Sequence, residues 1–354
     1  MTQMLRPPYS THDWEEMRQA LLNGKPVGLP TETVYGLGAR IDDPKAIDAI
    51  FQAKGRPKSD PLIVHVPADG ACYDSFEKKG WVAPQDTTLQ RRFDELVQAF
   101  WPGPLTLVVP KGANISPELT AGGSTVALRS PDHEVFQRLL KEIQVPLAAP
   151  SANRFGRISP TTADAVLEEL DGRIEWIVDG GPCPVGLEST VLRLHPSGSA
   201  EVLRPGLFSF EDLRARVPQL TLQKQSPPST LKAAPLSSPG LLESHYAPLT
   251  RVLPLESLSL QKISFSKPVA LLSWSKAQLA QDSALLSKLQ IPHEAHALTP
   301  TGDAYLAAQT WYHLLRELDH HSVDAIIVGT LPSPTSGVLQ ALHDRLRRAA
   351  APRT

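Results

Sequence analysis

The sequence has very few cysteines and no long apolar run. Its 354 residues include two cysteines, Cys72 and Cys183, too few for a disulfide framework or a four-cysteine zinc site. No stretch of about 18 apolar residues is present that would predict a membrane span. The polar residues 6–8 do not resemble the apolar segment of a signal peptide. We therefore expect a cytoplasmic protein with two free thiols and no membrane association.

Net charge is also small. The formal value of -2 disfavours a protein that binds RNA mainly through a broad basic surface, because that mode needs many phosphate contacts. The hydrophobic share of 41% and the charged share of 20% are close to globular averages. At this length, two folded domains are favoured over one.

Several familiar catalytic signatures are missing from the sequence. There is no G-x-x-x-x-G-K-[ST] loop, no H-E-x-x-H, no paired C-x-x-C and no G-x-S-x-G. Among the 11 histidines, His293, His296, His320 and His321 are expected in or near loops of a second domain, without a matching acidic or thiol set. We interpret these four histidines as solvated residues. The sequence does not identify the ligands of any metal ion.

Up to about Arg204, short apolar runs alternate with amphipathic stretches, which is typical of an α/β architecture. One helix is well marked, because Asp43 can cap it, Pro44 suits its first turn and Gly55 can end it. Further helices are predicted at about 132–143 and 162–170. The candidate strands are 27–29, 62–66, 105–109, 125–128, 174–178 and 190–194.

A change of composition marks a linker at 218–248. This stretch is rich in Pro, Ser, Gln and Lys, and its prolines block regular helices and central strands. We predict a first domain at 1–217, this linker, and a second domain at 249–354. We also hypothesise that the linker is an active-site lid.

The second domain is expected to be a smaller three-layer α/β unit. Its predicted strands are 269–272 and 325–328, and its predicted helices are 304–318 and 337–349. Arg345, Arg347 and Arg348 give the last helix a basic end, which we interpret as structural because cations there complement the helix dipole.

Polar residues follow several of the candidate strands. The segment PTETVYGLGA places hydroxyl groups at Thr31, Thr33 and Tyr35 after a strand, with glycines that allow close backbone approach. By itself the segment is more typical of a hairpin or strand exit with incidental hydroxyls. The segment PSANRFG likewise places Ser151 and Asn153 at a strand end, where they could face a crevice or belong to a plain turn.

Cations are the second class of candidate ligand-binding residues. Lys54, Arg56 and Lys58 lie on a turn that could surround a triphosphate, although they could equally complement the end of the preceding helix. Arg129 ends a strand, where its guanidinium could bind a carboxylate bidentately or form a structural ion pair. His65 lies in an apolar run, where a lone histidine is more often structural.

Taken together and in order, these motifs resemble the threonylcarbamoyl-AMP synthase family over nearly all of residues 12–206. They are PTETVYGLGA, KGRPKSDPLIVHV, WPGPLTLVV, STVALRSP, PSANRFGRISPT, GLESTV and LRPG. The SPG at 238–240 and the HYAP at 245–248 resemble the long form of that family. The resemblance implies an α/β fold: a YrdC-like twisted open sheet with a large concave cavity, plus a smaller Rossmann-like three-layer domain.

The resemblance also implies a reaction. L-Threonine, bicarbonate and ATP would give threonylcarbamoyl-adenylate, pyrophosphate and water, with Mg²⁺ on the ATP phosphates. The adenylate would pass to a tRNA threonylcarbamoyltransferase for the t6A modification at position 37 of tRNA, with contact to tRNA as a further expectation. The alternatives are a double-stranded RNA or tRNA-binding module without catalysis and a carbamoyl-transfer enzyme. Relatives of the latter kind carry acylphosphatase-like and zinc-finger regions that are missing here.

Specific roles follow from the resemblance residue by residue. Lys54 and Arg56 would be catalytic, because they could neutralise phosphate charge. The residues implied in threonine binding are Thr33, His65, Arg129, Ala149 and Ser189. The residues implied in ATP binding are Arg56, Asp60, Thr125, Ser151, Asn153, Arg204 and Tyr246.

The sequence departs from the family pattern at two places. Asp60 stands where the family commonly has Asn, and residues 242–244 (Leu-Glu-Ser) stand where it commonly has an aromatic and basic residues. An aspartate near phosphates would repel them unless it pairs with a cation, such as Arg56 or Lys58, or helps to hold Mg²⁺.

Overall fold

The computed structural model of the chain describes residues 1–223, 245–259 and 263–352. Most of the predicted linker, at 224–244, lies outside these ranges, as do the SPG at 238–240 and the departure at 242–244. The lid hypothesis and the domain boundaries at 217 and 248 remain predictions. None of the described helices is long and apolar enough to cross a bilayer.

The first part of the chain forms one mixed sheet with helices packed on it. Its ten strands lie in the order β1-β8-β2-β3-β7-β4-β6-β5-β9-β10. The strands are β1 (Gln3–Leu5), β2 (Val27–Leu29), β3 (Gly36–Arg40), β4 (Ile63–His65), β5 (Leu105–Pro110), β6 (Thr125–Arg129), β7 (Leu147–Ala148), β8 (Trp176–Val178), β9 (Thr190–Leu194) and β10 (Ala200–Arg204). The helices are α1 (Thr11–Leu22), α2 (Pro44–Lys54), α3 (Tyr73–Lys78), α4 (Thr87–Phe100), α5 (Glu134–Ile143), α6 (Ala163–Leu170) and α7 (Phe210–Arg216).

Helix α2 follows its local signals closely. The Asp43 side chain accepts a hydrogen bond from the backbone N–H of Lys45, Pro44 occupies the first turn, and Gly55 ends the helix at φ 62°. Ile47, Ile50 and Phe51 on one face of the helix are buried. This end point delivers Lys54 and Arg56 to the turn that leads into β4.

The motif segment after β2 is a hairpin. Strand β3 pairs antiparallel with β2, with Leu29 opposite Gly36 and Val27 opposite Gly38. It also pairs antiparallel with the two-residue strand β7. The hydroxyl residues Thr31, Thr33 and Tyr35 therefore lie in the connection of this hairpin, between two strands at the centre of the sheet.

The second part forms a four-stranded parallel sheet in the order β11-β14-β12-β13. The strands are β11 (Arg251–Pro254), β12 (Val269–Ser275), β13 (His293–Thr299) and β14 (Ala325–Val328), and the helices are α8 (Lys276–Lys288), α9 (Ala304–Asp319) and α10 (Gly337–Ala349). The predicted strands 269–272 and 325–328 and both predicted helices are confirmed. The apolar face of α9 buries Trp311 and Leu315 against this sheet.

The interpretation of the second-domain histidines is wrong in two respects. His293 and His296 lie within strand β13 and not in loops. His296 and His321 also have an acidic neighbour, because their ligand atoms and a carboxylate oxygen of Glu294 all lie within 4.8 Å of one another. The cluster cannot be predicted from sequence spacing, because His321 is 25 residues from His296 and approaches strand β13 only when the second part of the chain folds.

The two sheets share apolar contacts. The core of the second part includes Val34, Ile158 and Leu187 from the first part. Gly186, at φ 77°, lies so close to α9 that an added Cβ would be 2.5 Å from the carbonyl oxygen of Ala308. Only glycine fits this approach, which fixes the GLEST segment against the second part.

Candidate active site

Seven of the predicted site residues line one cleft in the first part of the chain. The space open to water inside the cleft is about 50 Å³. Its lining residues are Thr31, Val34, Tyr35, Gly36, Arg56, Ile63, His65, Arg129, Ala149, Pro150, Ser151, Glu188, Arg204, His245 and Tyr246. A larger groove, of about 910 Å³ by the same measure, runs past Trp81 and Pro102. Buried polar groups, and not size, therefore identify the functional site.

The guanidinium of Arg129, at the end of β6, is held in place through its Nη2 atom. Its Nη2 donates to Thr33 Oγ1 and lies against Glu32 Oε2, at 2.8 Å in each case. Its Nε is buried and has no hydrogen-bond partner within the described ranges. The ion pair that we considered as an alternative therefore exists, but it fixes the guanidinium and leaves one donor available on a residue that lines the cleft.

His65 lies next to Arg129 in the sheet, because β4 and β6 pair with these two residues in register. Burial, with a smaller contribution from the Arg129 charge, lowers the pKa of His65 to about 3. Its Nδ1 is buried without a hydrogen-bond partner in the part of the chain that the structure describes. At neutral pH the cleft therefore contains a neutral imidazole beside a cation.

The floor of the cleft is close-packed backbone. Gly36 forms an isolated bridge with Ser151, and a Cβ added at Gly36 would lie 3.1 Å from the Cβ of Ala149. The backbone N–H of Ala149 donates to Ile63 O over 3.1 Å. Small residues at positions 36 and 149 thus leave room for a ligand above the sheet.

Arg56, which lines the cleft, forms a buried pair with Asp60. Arg56 Nη2 lies 2.8 Å from Asp60 Oδ2, and its donors also reach the carbonyls of Asp60 and Pro61. Lys58 instead pairs with Asp48 at the surface. Burial raises the pKa of Asp60, although the nearby Arg56 charge acts to lower it. Neither carboxylate oxygen accepts a well-aligned hydrogen bond from the described residues.

Lys54 lies behind the wall of the cleft. Its Nζ donates to the carbonyls of Ser151 and Asn153 over 2.5 Å each. Burial, followed by the Arg56 charge, holds the pKa of Lys54 well below its usual value. In this arrangement Lys54 Nζ positions the loop 151–153, and a direct contact with phosphate remains a prediction.

Ser189 and Arg204 are joined directly. Arg204 donates from Nε and Nη2 to the carbonyl of Ser189, and from Nη2 to its Oγ over 3.1 Å. The Ser189 hydroxyl also lies 2.7 Å from Thr106 Oγ1. Arg204 lines the cleft, whereas Ser189 supports it from behind.

His245 and Tyr246 cover the cleft from the segment before β11. Their rings lie 4.1 Å apart, and the Tyr246 backbone has a φ of 61°. Burial, followed by the Arg56 charge, lowers the pKa of His245 to about 3. The Tyr246 hydroxyl and His245 Nδ1 are buried and lack hydrogen-bond partners among the residues described. These two atoms are therefore available to a ligand.

The remaining predicted residues do not line this cleft. Thr33, Lys54, Asp60 and Ser189 each contact a residue that does. Asn153 is one step farther back, because its carbonyl accepts from Lys54. Thr125 is farther away, at the other end of β6 from Arg129 and about 13 Å along the strand.

Sequence reasoning missed two cleft residues with clear chemistry, Glu188 and His245. Both stand inside motifs, GLESTV and HYAP, that the resemblance already used, so the motif context could have identified them. Glu188 accepts from Ser159 Oγ over 2.6 Å, from Tyr312 OH over 3.0 Å and from Arg345 Nε over 2.8 Å. Burial would raise the pKa of Glu188, but the Arg345 and Arg204 charges lower it below its usual value.

Comparisons with known proteins agree with this architecture. A family model described as telomere recombination matches residues 19–206. A second, described as threonylcarbamoyl-AMP synthase, C-terminal domain, matches residues 208–351. The two models together include all the described strands except β1.

Individual relatives match over nearly the whole chain. A Pyrococcus abyssi protein named threonylcarbamoyl-AMP synthase is 35% identical, over 92% of this chain and 91% of its own length. A Bacillus subtilis protein of the same name is 36% identical, over 97% and 95%. The solved structure of Pyrococcus abyssi Sua5 complexed with L-threonine superposes with a TM-score of 0.77 at 30% identity, and the match covers 99% of this chain and 97% of that one. The chain belongs to the threonylcarbamoyl-AMP synthase family.

Proposed function

We propose that this chain converts L-threonine, bicarbonate and ATP into threonylcarbamoyl-adenylate, pyrophosphate and water, as a nucleotidyltransferase that supplies t6A modification of tRNA. The observation that carries the proposal is one cleft lined by three buried arginines, Arg129 beside His65 and Arg56 within range of the Arg204 charge. Full-length relatives at 33–36% identity bear the name of this activity.

The chemistry needs positioned reactants more than a reactive side chain. The threonine amine attacks the carbon of bicarbonate or carbon dioxide, and a carbamate forms with loss of water or a proton. A carbamate oxygen then attacks the α-phosphorus of ATP, and the bond to the β-phosphate oxygen breaks as pyrophosphate leaves. Both steps are accelerated chiefly by alignment and by neutralisation of phosphate charge.

Arg129 is the proposed site for the threonine carboxylate. Its Nε has no hydrogen-bond partner among the described residues, and Arg129 lines the cleft beside a neutral His65. Thr33 and Glu32 hold the guanidinium in place, so little side-chain entropy is lost when the substrate binds. Thr33, Ala149 and Ser189 would then act as supports or packing surfaces around the amino acid.

Arg56 and Arg204 are the proposed phosphate-side residues. Both are buried, line the cleft and are fixed by carbonyl oxygens, which places their charge before the nucleotide arrives. Ser151, with Asn153 and Lys54 behind it, forms the adjoining wall, and Tyr246 would cover the nucleotide. Thr125 would contact it only if the nucleotide extends along β6.

Mg²⁺ is the proposed cofactor, and Asp60 fits it. A buried carboxylate whose oxygens accept no well-aligned hydrogen bond from the described residues, apart from the ion pair of Oδ2 with Arg56, is a suitable hard ligand for this ion. When bound, Mg²⁺ would neutralise phosphate charge beside Arg56. Asp60 is the one protein ligand we assign, and ATP oxygens and water would complete the set, as is common for this ion.

The product must leave the cleft for a second enzyme. An acyl-adenylate is reactive towards water, so a covered cleft and a direct hand-off to a tRNA threonylcarbamoyltransferase would protect it. We place this work in the cytoplasm, where reducing conditions suit Cys72 and Cys183, both free thiols. Contact of the chain with tRNA is a separate proposal, and the formal net charge of -2 does not support it.

Pyrophosphate release provides the test. The full chain is incubated with ATP, L-threonine, bicarbonate and Mg²⁺, and each component is omitted in turn, with L-serine as a matched replacement for threonine. We expect release to require all four and to yield a threonylcarbamoyl-adenylate detectable by mass spectrometry. Release that is indifferent to threonine would disprove the assignment.

A further inference from the structure

Three side chains on the second part of the chain converge away from the cleft. Glu294 and His296 are two residues apart on strand β13, so they project from the same face. His321 reaches them from the segment after α9. One ligand atom from each of the three lies within 4.8 Å of the other two.

The contacts within this cluster leave at least one side-chain atom free to bind a metal ion. His321 Nδ1 donates to Glu294 Oε1 over 2.5 Å, and His296 Nε2 lies 3.6 Å from the same oxygen. His296 Nε2 is buried and has no hydrogen-bond partner within the described ranges. In those ranges Glu294 forms ion pairs with these two histidines and with no lysine or arginine.

We propose that Glu294, His296 and His321 bind a divalent transition-metal ion of the Zn²⁺ class. Two imidazoles and one carboxylate are a donor set typical of zinc and its neighbours, whereas Mg²⁺ and Ca²⁺ prefer oxygen alone. Three protein ligands leave the fourth tetrahedral position to water. The side chains are about one-third exposed, at 38%, 26% and 32%, so an ion can enter from solvent.

The distances are compatible with such an ion after a small movement. Metal–ligand bonds of about 2.1 Å in a tetrahedron place neighbouring ligand atoms roughly 3.4 Å apart. The separation between His296 and Glu294 is already near this value. The hydrogen bond between His321 and Glu294 has to open by about 1 Å, and the His321 proton then resides on Nε2, so that Nδ1 of the neutral imidazole can bind the metal.

The position of the cluster indicates what the ion would do. Strand β13 is the edge of the four-stranded sheet. The two residues before His321 contact the first part of the chain: Asp319 lies 3.2 Å from Arg157, and His320 lies 3.2 Å from Glu168. A bound ion would therefore connect the sheet edge to residues 319–321, which contact the first part of the chain. It would stabilise the fold without entering the active site.

Calorimetric titration of the EDTA-treated full chain with ZnCl₂ tests the site. We expect one equivalent of zinc to bind per chain. Glu294→Gln, His296→Ala and His321→Ala should each weaken binding roughly tenfold or more. His313→Ala is the matched control, because His313 lies 4.0 Å from Glu317 in a surface pair on α9 and is not part of the cluster.

Thermal unfolding separates loss of the site from loss of the fold. Saturating Zn²⁺ should raise the Tm of the wild type and of His313→Ala, and should leave the Tm of His296→Ala unchanged. In EDTA all these variants should unfold at similar temperatures, because their side chains are partly exposed. Equal zinc affinity in the wild type and the three ligand variants, or a zinc-dependent Tm shift that survives His296→Ala, would overturn the proposal.

Discussion

Arg345 on the last helix donates from Nε to Oε2 of Glu188 over 2.8 Å, and this bond joins the second part of the chain to the wall of the cleft. The guanidinium is fully buried and also lies over the ring of Tyr246, 4.9 Å from its centroid. Tyr312 donates to the same carboxylate. The basic end of α10 is thus structural, as expected, and Arg345 acts as a direct support of two cleft residues.

Replacement of Arg345 by Met should impair stability and catalysis together. The variant leaves the Glu188 charge buried with one fewer partner, and breaking a buried ion pair typically costs about 3 to 5 kcal/mol. Because Glu188 and Tyr246 line the cleft, kcat/KM for pyrophosphate release should fall as well. Urea denaturation and steady-state kinetics on the purified chain measure the two effects.

Arg347→Met is the matched control for this experiment. Arg347 lies two residues away and is 62% exposed, where it pairs only with Asp344 among the described residues. Its loss should change the free energy of unfolding by less than about 0.5 kcal/mol. If Arg345→Met behaved like Arg347→Met in both assays, the second part of the chain would not set the geometry of the cleft.

Arg129→Gln should raise the KM for threonine and leave the KM for ATP nearly unchanged. A hydrogen bond to a charged group contributes about 1.5 to 3 kcal/mol, which corresponds to a roughly 10- to 100-fold weaker apparent affinity. Initial rates measured at varied threonine and then at varied ATP separate the two constants. Arg138→Gln, at an exposed site on α5, serves as the control. Equal increases in both constants would argue against Arg129 as the carboxylate site.

Local signals in the sequence predict helices with clear capping residues, but they do not predict strands that form only through pairing with other strands. Helix α2 carries Asp43, Pro44 and Gly55 at the correct positions, and the structure confirms it. Strand β3, with sequence GLGAR, has little intrinsic preference for a strand and forms because β2 and β7 pair with it. Tertiary pairing of this kind cannot be inferred from the segment alone.

The same distinction applies to the site. Motif residues predict a cleft with cations and hydroxyls, and Arg56, Arg129 and Arg204 are brought together there. Motifs do not predict that the Ser189 hydroxyl accepts a hydrogen bond from Arg204, or that Ser189 is not among the residues that line the cleft. They also do not show that Arg345, far along the chain, holds Glu188, because that contact depends on how the second sheet packs on the first.

Asp60→Asn tests whether this carboxylate serves Mg²⁺ or only the Arg56 charge. If it holds the ion, the amide should raise the Mg²⁺ concentration that gives half-maximal activity, by roughly tenfold, at fixed ATP. If it only pairs with Arg56, the variant should lower the Tm and leave the Mg²⁺ dependence unchanged. Asp48→Asn, which breaks the surface pair with Lys58, is the control for the loss of one carboxylate charge nearby.

The two buried histidines should make the protein less stable as the pH falls below about 6.5. The pKa values of His65 and His245 are lowered to about 3 in the folded chain, from an ordinary 6.5. Between these values the unfolded chain binds protons that the folded chain does not, so the free energy of unfolding decreases with falling pH. Each histidine contributes about 1.4 kcal/mol per pH unit, or roughly 4 kcal/mol for both at pH 5.

Urea denaturation from pH 7.5 to 5 measures this loss, and a double variant isolates its source. His65→Asn combined with His245→Asn removes both titrating groups, so its stability should change much less over this interval than that of the wild type. His313→Asn removes an exposed histidine and should keep the wild-type slope. Because carboxylates elsewhere are the same in all three proteins, their contribution cancels in the comparison. Parallel slopes in the wild type and the double variant would show that other groups cause any acid sensitivity.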